Sequence, residues 1–335
     1  MVSAEYIAGF MDGEGYIAVG RIPRSRSPEF PVRVVLYNTN RELLEAIRQH
    51  WGGTLSCSPP RKSAWKAQHA LIWTNAAAAQ VIARVAPHLR VKSRQAAAVL
   101  RFHEHLRACQ RARDPRGRLL QLSSEELQFR EAFHRYLKSM NARGASAGRM
   151  PFGSADEGDL GERTEHPSVE YLAGFLDAEG SVMVCKSKPK SAPNPRYQAR
   201  LSVSNTCRSV LVDIRHAFGG NIYEDPRAKA EWKPCYQLVW TGNGVERILR
   251  VVIPHLLLKG RQAELLLEFV RYQRSLQSRR RGSGGTVATS SSDEVADYRE
   301  RLYRGCRELN AKGRPQSSVT PAPSSSPLPL APRAG

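Results

Sequence analysis

The pattern of apolar and polar positions along the chain is written twice. From residue 3 the sequence runs SAEYIAGFMDGEG, a mostly apolar segment opened by a serine and closed by D-G-E-G. Ser3 can cap a helix, Glu5 suits the positive end of its dipole, and the Gly-rich acidic ending stops it. Two alternating stretches follow, YIAVGRI (16–22) and VRVVLYN (32–38), with the period of half-buried strands. RELLEAIRQHW (41–51) is helical in spacing and is closed by Gly52-Gly53. Strands near 54–58 and 67–74 and helices near 77–86 and 92–109 complete the unit. The order is α-β-β-α-β-β-α.

The same order restarts at residue 168. SVEYLAGFLDAEG (168–180) repeats residues 3–15 at an offset of 165, with Ser, Glu, Tyr, Ala, Gly, Phe, Asp, Glu and Gly in register. SVMVCKS (181–187) and ARLSVSN (199–205) answer the first two strands. YNTNRELLEAIRQHWGG (37–53) answers SNTCRSVLVDIRHAFGG (204–220). AWKAQHALIWT (64–74) answers EWKPCYQLVWT (231–241), and APHLRVKSRQA (86–96) answers IPHLLLKGRQA (253–263). In these later blocks the offset is 167, so two residues are inserted between Gly180 and Asn205. Each half ends in a similar tail, LKSMNARG (137–144) and CRELNAKG (306–313). So many matches in one order require an internal duplication. The expected fold class is α+β, made of two pseudo-symmetric αββαββα repeats. The repeats are expected over residues 1–144 and 167–313, with a Gly/Ser/acidic linker at 145–166 and a disordered Pro/Ser-rich tail at 314–335. The Arg/Gly/Ser-rich stretch 279–293 reads as a mobile loop.

Charge narrows the function. The 335 residues carry a formal net charge of +20, mostly from arginine. A surplus of that size points to a polyanionic partner, and nucleic acid is the usual one. Hydrophobic residues make up 41% of the chain, enough to bury real cores. No apolar run approaches the ~18 residues needed to span a membrane. Six cysteines are scattered without a C-x-x-C. That pattern argues against a zinc site and a disulfide framework, and for a reducing compartment. The first helical motif begins within a few residues of Met1, so no cleavable targeting peptide is expected.

The repeated first motif carries the chemistry. Its small residues, Ala8, Gly9 and Gly13 in one copy and Ala173, Gly174 and Ala178 in the other, would let two helix backbones approach closely. Packed about a pseudo-twofold axis, the helices would bring Glu14 and Glu179 together. Two converging carboxylates repel unless a cation lies between them, and a hard, oxygen-ligated divalent ion suits that position. The plainer reading, that Asp12 and Glu14 only terminate a helix, fits one copy better than two.

IAGFMDGEG (7–15) and LAGFLDAEG (172–180) resemble the two copies of the LAGLIDADG motif of homing endonucleases. The resemblance covers about residues 3–110 and 168–275 and includes the N-T-x-R and P-H-L…K-x-R-Q-A segments. It implies a saddle of two antiparallel sheets that straddles DNA in the major groove and cuts across the minor groove, leaving short 3′ overhangs. It further implies a monomeric, site-specific double-strand endonuclease using Mg²⁺ or Mn²⁺. The double-stranded DNA target would be roughly 20 base pairs, about two helical turns. No intein splicing signals frame the chain, so intron encoding is expected. The resemblance assigns metal binding to Glu14 and Glu179, with the carbonyls of Gly13 and Ala178, and makes Asp12 and Asp177 helix-end residues. Glutamate replaces the family name's aspartate at both positions. Asn38 and Asn205 match the position that organises active-site water, and Lys92 and Lys259 match the base that polarises water or steadies the phosphate. As residues alone, the asparagines could equally be N-caps and the lysines solvated helix starts. An RNA-binding intron splicing factor (a maturase) and a non-cleaving DNA-binding protein on the same fold remain the alternatives.

DNA-reading side chains should alternate on the sheet face away from the helices. Arg33 and Arg200 point there if Val34 and Leu201 are core. Lys66 and Lys233, with Gln68 and Gln237, are further candidates. The hairpins RIPRSR (21–26) and KSKPK (186–190), including Arg24, Lys186 and Lys188, could grip phosphates. The halves differ on this face, Val35 against Ser202 and Ala70 against Gln237, so the target should be only loosely palindromic. Trp65, Trp232, Trp73 and Trp240 read as core or sheet packing, and His88 and His255 as structural.

Overall fold

A computed structural model of the chain describes residues 1–60, 66–109, 113–117, 120–142, 166–188, 194–225, 234–282 and 293–311. The first half runs α1 (Ala4–Glu14), β1 (Gly15–Val19), β2 (Val32–Asn38), α2 (Arg41–Trp51), β3 (Thr54–Ser58), β4 (Gln68–Thr74), α3 (Asn75–Val85), α4 (Ser93–Ala108) and α5 (Ser124–Met140). The second runs α6 (Val169–Glu179), β5 (Gly180–Ser187), β6 (Arg196–Asn205), α7 (Arg208–Phe218), β7 (Asn221–Glu224), β8 (Tyr236–Trp240), α8 (Asn243–Val252), α9 (Gly260–Gly282) and α10 (Asp293–Leu309). A short 3-10 turn precedes both α4 and α9. The fold class is as expected: two antiparallel four-stranded sheets, ordered β1-β2-β4-β3 and β5-β6-β8-β7.

The strand registers follow from the alternation. Ile17 faces Val34, which faces Trp73, so all three point to one side and are buried. Val182, Leu201 and Trp240 repeat the arrangement in the second sheet. Trp73 donates its indole N–H to the carbonyl of Trp51 (2.9 Å), and Trp240 donates to Phe218 (3.3 Å). These two tryptophans are core, as expected. Trp65 and Trp232 lie outside the described residues.

α1 and α6 are buried around nearly their whole circumference, from Tyr6 to Asp12 and from Tyr171 to Asp177. A helix apolar on every side belongs between other elements, and these two lie against each other at the junction of the halves. Ser3 and Ser168 cap them through the N–H groups of Tyr6 and Tyr171. His88 and His255 face Glu5 and Glu170 in the first turns of α1 and α6, at 3.8 and 3.7 Å. Arg90, its side chain almost inaccessible, pairs across the junction with Asp213 of α7 at 3.0 Å. The matching positions in the other orientation are Leu257 and Ala46, so this ion pair is not repeated by the duplication.

Where the αββαββα formula closes each half with one helix, three follow the last strand, and the third of them, α5 or α10, was not expected. Each packs beside the first strand of its sheet, and each is tied to it by matched bonds. Asn141 donates to the carbonyl of Ile17 (2.9 Å), and Asn310 donates to that of Val182 (2.8 Å). Arg21 meets Glu131 at 2.7 Å, and Lys186 meets Glu300 at 2.7 Å. The repeated asparagine of the two tails therefore anchors a helix to a strand carbonyl. A start signal for α5 was present: Ser123 caps it through the N–H of Glu126, an S-x-x-E box. Residues 145–165 of the expected linker 145–166, and the tail 314–335, lie outside the described residues. Of the expected loop 279–293, residues 279–282 continue α9, Asp293 begins α10, and 283–292 lie outside the described residues.

Candidate active site

The site is built where α1 and α6 end. The helices touch backbone to backbone at Gly9 and Gly174. A Cβ on Gly9 would lie 2.1 Å from the Tyr171 carbonyl oxygen, and one on Gly174 would lie 2.0 Å from that of Tyr6. One turn further on, a Cβ on Gly13 would lie 2.4 Å from the Ala178 Cβ and 2.9 Å from Glu179 Cγ. The expected contact residues therefore meet, and the side chain of Glu179 crosses over Gly13. Gly15 and Gly180 end the helices and start β1 and β5 without a break. Any Cβ there would strike the carbonyl of Met11 or Leu176 at 2.5 or 2.4 Å.

At these helix ends Glu179 is half-buried and Glu14 is the more exposed of the two. Burial pushes both carboxyls above the usual range, while Lys92 and Lys259 pull them down. The charge on Glu14 raises Glu179 further. The ammonium of each lysine is pushed below its ordinary value by burial, against the opposing pull of Asp12 on Lys92 and of Asp177 on Lys259, and of both glutamates on each. Two acids and two lysines, drawn from both halves, thus share one electrostatic environment.

Asp12 and Asp177 set the lysines in place. Asp12 is buried and accepts the backbone N–H groups of Arg90 (2.7 Å) and Lys92 (2.9 Å). Asp177 accepts those of Leu257 (2.7 Å), Leu258 (3.0 Å) and Lys259 (2.9 Å). Each also accepts a phenol from the opposite helix, Tyr171 to Asp12 at 2.6 Å and Tyr6 to Asp177 at 2.8 Å. The tyrosines were repeated in the sequence at the same offset as the aspartates, a signal that sequence reading left unused. Lys92 Nζ donates to the Asp12 carbonyl (2.6 Å), and Lys259 Nζ donates to those of Leu176 (2.7 Å) and Asp177 (2.9 Å). These carbonyls are the orphan acceptors of a helix C-terminus, where a cation is favoured. The lysines are therefore not solvated helix starts.

Asn38 and Asn205 stand at the ends of β2 and β6, and neither caps the next helix. Their Oδ1 atoms accept the N–H of Asn40 and of Cys207, both at 2.8 Å, in Asx turns. Asn40 is the N-cap of α2, through the N–H of Leu43 (2.8 Å), and the backbone of Cys207 begins α7.

The helix-free face of each sheet carries the candidate DNA contacts. Arg33 is exposed and Val34 is core. Arg200 reaches Gln237 Oε1 (2.5 Å), whose amide lies 3.4 and 3.2 Å from the hydroxyls of Ser202 and Ser204. The matching first-half positions are Val35, Tyr37 and Ala70, so one face is polar where the other is apolar. Gln68 is exposed at the start of β4, and Lys66 precedes it, half-buried. Lys188 is exposed and Arg24 faces Glu29 at 3.1 Å. The ammonium of Lys186 is turned to Glu300 and sits over the rings of Tyr197 and Tyr303. Sequence alone did not reveal this partner, because α10 was unread. Lys233 lies outside the described residues.

No protein-family model and no curated protein matches the sequence. Solved structures do match. The I-SmaMI LAGLIDADG homing endonuclease bound to cleaved DNA superposes with a TM-score of 0.66 at 14% identity, covering 93% of this chain and 99% of that one. I-SmaMI bound to an uncleaved DNA target with calcium ions gives 0.60 at 12% identity, over 91% and 99%. The LAGLIDADG meganuclease I-CpaMI bound to uncleaved DNA gives 0.53 at 14% identity, over 91% and 99%. The chain therefore has the fold of the LAGLIDADG homing endonucleases, with both copies of its helix–sheet unit on one polypeptide.

Proposed function

We propose that the protein is a site-specific endonuclease that hydrolyses one phosphodiester in each strand of a long double-stranded DNA target, leaving 3′ overhangs, and that it acts as a monomer. The observation that carries this reading is the convergence of Glu14 and Glu179, with Lys92 and Lys259, at a helix crossing so close that only glycine fits. Several solved structures that share the fold are bound to DNA, and this chain's charge of +20 suits the same partner. Intron encoding, and repeats bounded at 1–144 and 167–313, belong to the same reading.

The acids fit a hard divalent cation, Mg²⁺ or Mn²⁺. They are oxygen donors only, and desolvation opposes both charges in its absence. Glu14 and Glu179 would hold it, with the carbonyls of Gly13 and Ala178 beside them. Such an ion supplies charge stabilisation at the phosphate and a more acidic water. The chain's own residues do the rest. Lys92 and Lys259, fixed by Asp12 and Asp177, place positive charge beside the acids where phosphate charge develops. Asn38 and Asn205, at the ends of β2 and β6, would order water through their side-chain amides. Arg33 and Arg200 reach the groove from the sheets. Arg24 and Lys188 meet phosphates, whereas Lys186 would first have to leave Glu300.

The test compares the parent with Glu14→Gln plus Glu179→Gln on a randomised or host-derived DNA library containing Mg²⁺. Double-strand cutting is expected from the parent and a loss of at least about 10³-fold from the variant. The variant should melt no lower than the metal-free parent, because burial disfavours the two charges it removes. A parent that cuts nothing, yet binds a structured intron RNA tightly, would replace this reading with the splicing factor. Affinity for the DNA site should also fall about 10³-fold or more between 50 and 200 mM salt, as many neutralised phosphates require. A flat salt response would remove the DNA groove from the account.

A further inference from the structure

Away from the acids, one side-chain cluster stands outside the proposed cleavage site. His105 and Cys109 lie four residues apart at the end of α4, on one helical face. The N–H of Cys109 still bonds the carbonyl of His105 at 2.8 Å, so the helical spacing persists to the thiol. Glu126 enters from the first turn of α5 and meets His105 Nε2 at 2.8 Å. The imidazole, thiol and carboxylate donor atoms lie within 4.8 Å of one another, the only such group of three among the described residues.

We propose that His105, Cys109 and Glu126 form a structural binding site for a zinc-class divalent ion, which clamps the end of α4 to the start of α5. One nitrogen, one thiolate and one carboxylate oxygen select Zn²⁺ over the hard Mg²⁺ of the acid pair. Tetrahedral ligands at zinc distances stand about 3.5 Å apart, so the three donors need only a small inward movement, and water takes the fourth position. Binding releases the Cys109 thiol proton to solvent.

The surroundings are those of a built site. The His105 ring stacks on Phe129, centroids 3.9 Å apart, which fixes the plane of its donor nitrogen. Arg130 holds the other oxygen of Glu126 at 2.5 Å, and both side chains are nearly buried. A carboxylate anchored at one oxygen presents the second as a ligand, the usual outer-shell arrangement. The duplication supplies the contrast. The matching second-half residues are Tyr272, Leu276 and Val295, none a metal ligand of this class. There a Tyr272–Tyr298 ring pair, 4.3 Å apart, replaces His105–Phe129. The shared fold therefore does not require these donors, and the first half has acquired them.

The scattered cysteines argued against zinc because no C-x-x-C exists. The third donor comes from a helix that the sequence reading did not find. The clamp would lie about 18 Å along α4 from its Lys92 end. It would hold α5, whose His134 (2.8 Å) and Asn141 bond the Val19 and Ile17 carbonyls of β1, beneath the first strand of the reading face.

The experiment uses the full chain, stripped with a chelator and titrated with Co²⁺, then Zn²⁺. A thiolate-to-cobalt charge-transfer band is expected, saturating at one equivalent and displaced by Zn²⁺. Cys109→Ser should lose the band, and Cys109→His should bind Zn²⁺ without it. Glu126→Gln should weaken Zn²⁺ binding by at least about tenfold. Glu14→Gln with Glu179→Gln should leave the band unchanged, which separates this site from the acid pair. Zn²⁺ should raise the melting temperature of the parent and not of Cys109→Ser. A parent without the band, or a band that survives Cys109→Ser, overturns the proposal.

Discussion

Replacing Gly9 with alanine is expected to destabilise the protein by about 3 kcal/mol or more, at the top of the range for overpacking a core. The reason is the partner atom. The new methyl would sit 2.1 Å from a carbonyl oxygen of Tyr171 and 2.9 Å from the N of Phe175. Both belong to the backbone of α6, so no rotamer change relieves the overlap. The two helices must move apart, and both halves move with them. Gly174→Ala meets the mirror-image clash with Tyr6 and Phe10. Gly13→Ala is milder for stability, because it meets the side chains of Ala178 and Glu179, but it displaces a proposed metal ligand. Gly260 is the control. It lies at the start of α9 with nothing within 4 Å of where a Cβ would stand, so alanine there should be neutral or better. Denaturant midpoints of the four variants check the ordering. A Gly9→Ala protein within about 0.5 kcal/mol of the parent would show that the helices do not touch as described.

The duplication, both sheets and the Glu14/Glu179 pair were legible because each has a local signature that the repeat doubles. Strand parity was legible too: Val34 and Leu201 are core, so Arg33 and Arg200 lie on the other face. Three features were not. α5 and α10 have narrow apolar stripes, Phe133 with Tyr136 and Leu137 in one and Leu302 with Cys306 in the other, among many charges. The Arg90–Asp213 bridge joins positions that the repeat does not match, so no pattern announced it. Asp12 and Asp177 looked like helix stops, because their partners are backbone N–H groups about 80 residues away, which leave no trace in residue types.

Exchange across the junction explains why the interface and the site are one structure. Each half supplies a tyrosine to the other half's aspartate, and each aspartate holds its own half's lysine loop. The geometry of either lysine thus depends on both halves being docked. A lone half would leave Tyr6 or Tyr171 without its acceptor, and the acids without each other.

Asp12→Ala and Asp177→Ala are accordingly expected to cost about 3–5 kcal/mol each, and to cut DNA cleavage more than Tyr6→Phe or Tyr171→Phe does. Alanine at 12 strips acceptors from two backbone N–H groups and one phenol, and alanine at 177 strips them from three N–H groups and a phenol. Backbone donors buried against a methyl cannot turn to water, so the loss is the desolvation of each donor and not one net hydrogen bond. Asparagine is a poor rescue, since its amide would place hydrogens where one carboxylate oxygen accepts. A phenylalanine at 6 or 171 removes only one donor and should cost about 1 kcal/mol. Asp177, with four donors, should be the more sensitive position. Hydrogen exchange gives the sharper readout. In Asp12→Ala the amides of Arg90 and Lys92 should lose protection while those of Leu257 to Lys259 keep it, and in Asp177→Ala the reverse. If both loops stayed protected and both variants unfolded at the parental midpoint, the lysines would have to be held by something other than these two carboxylates.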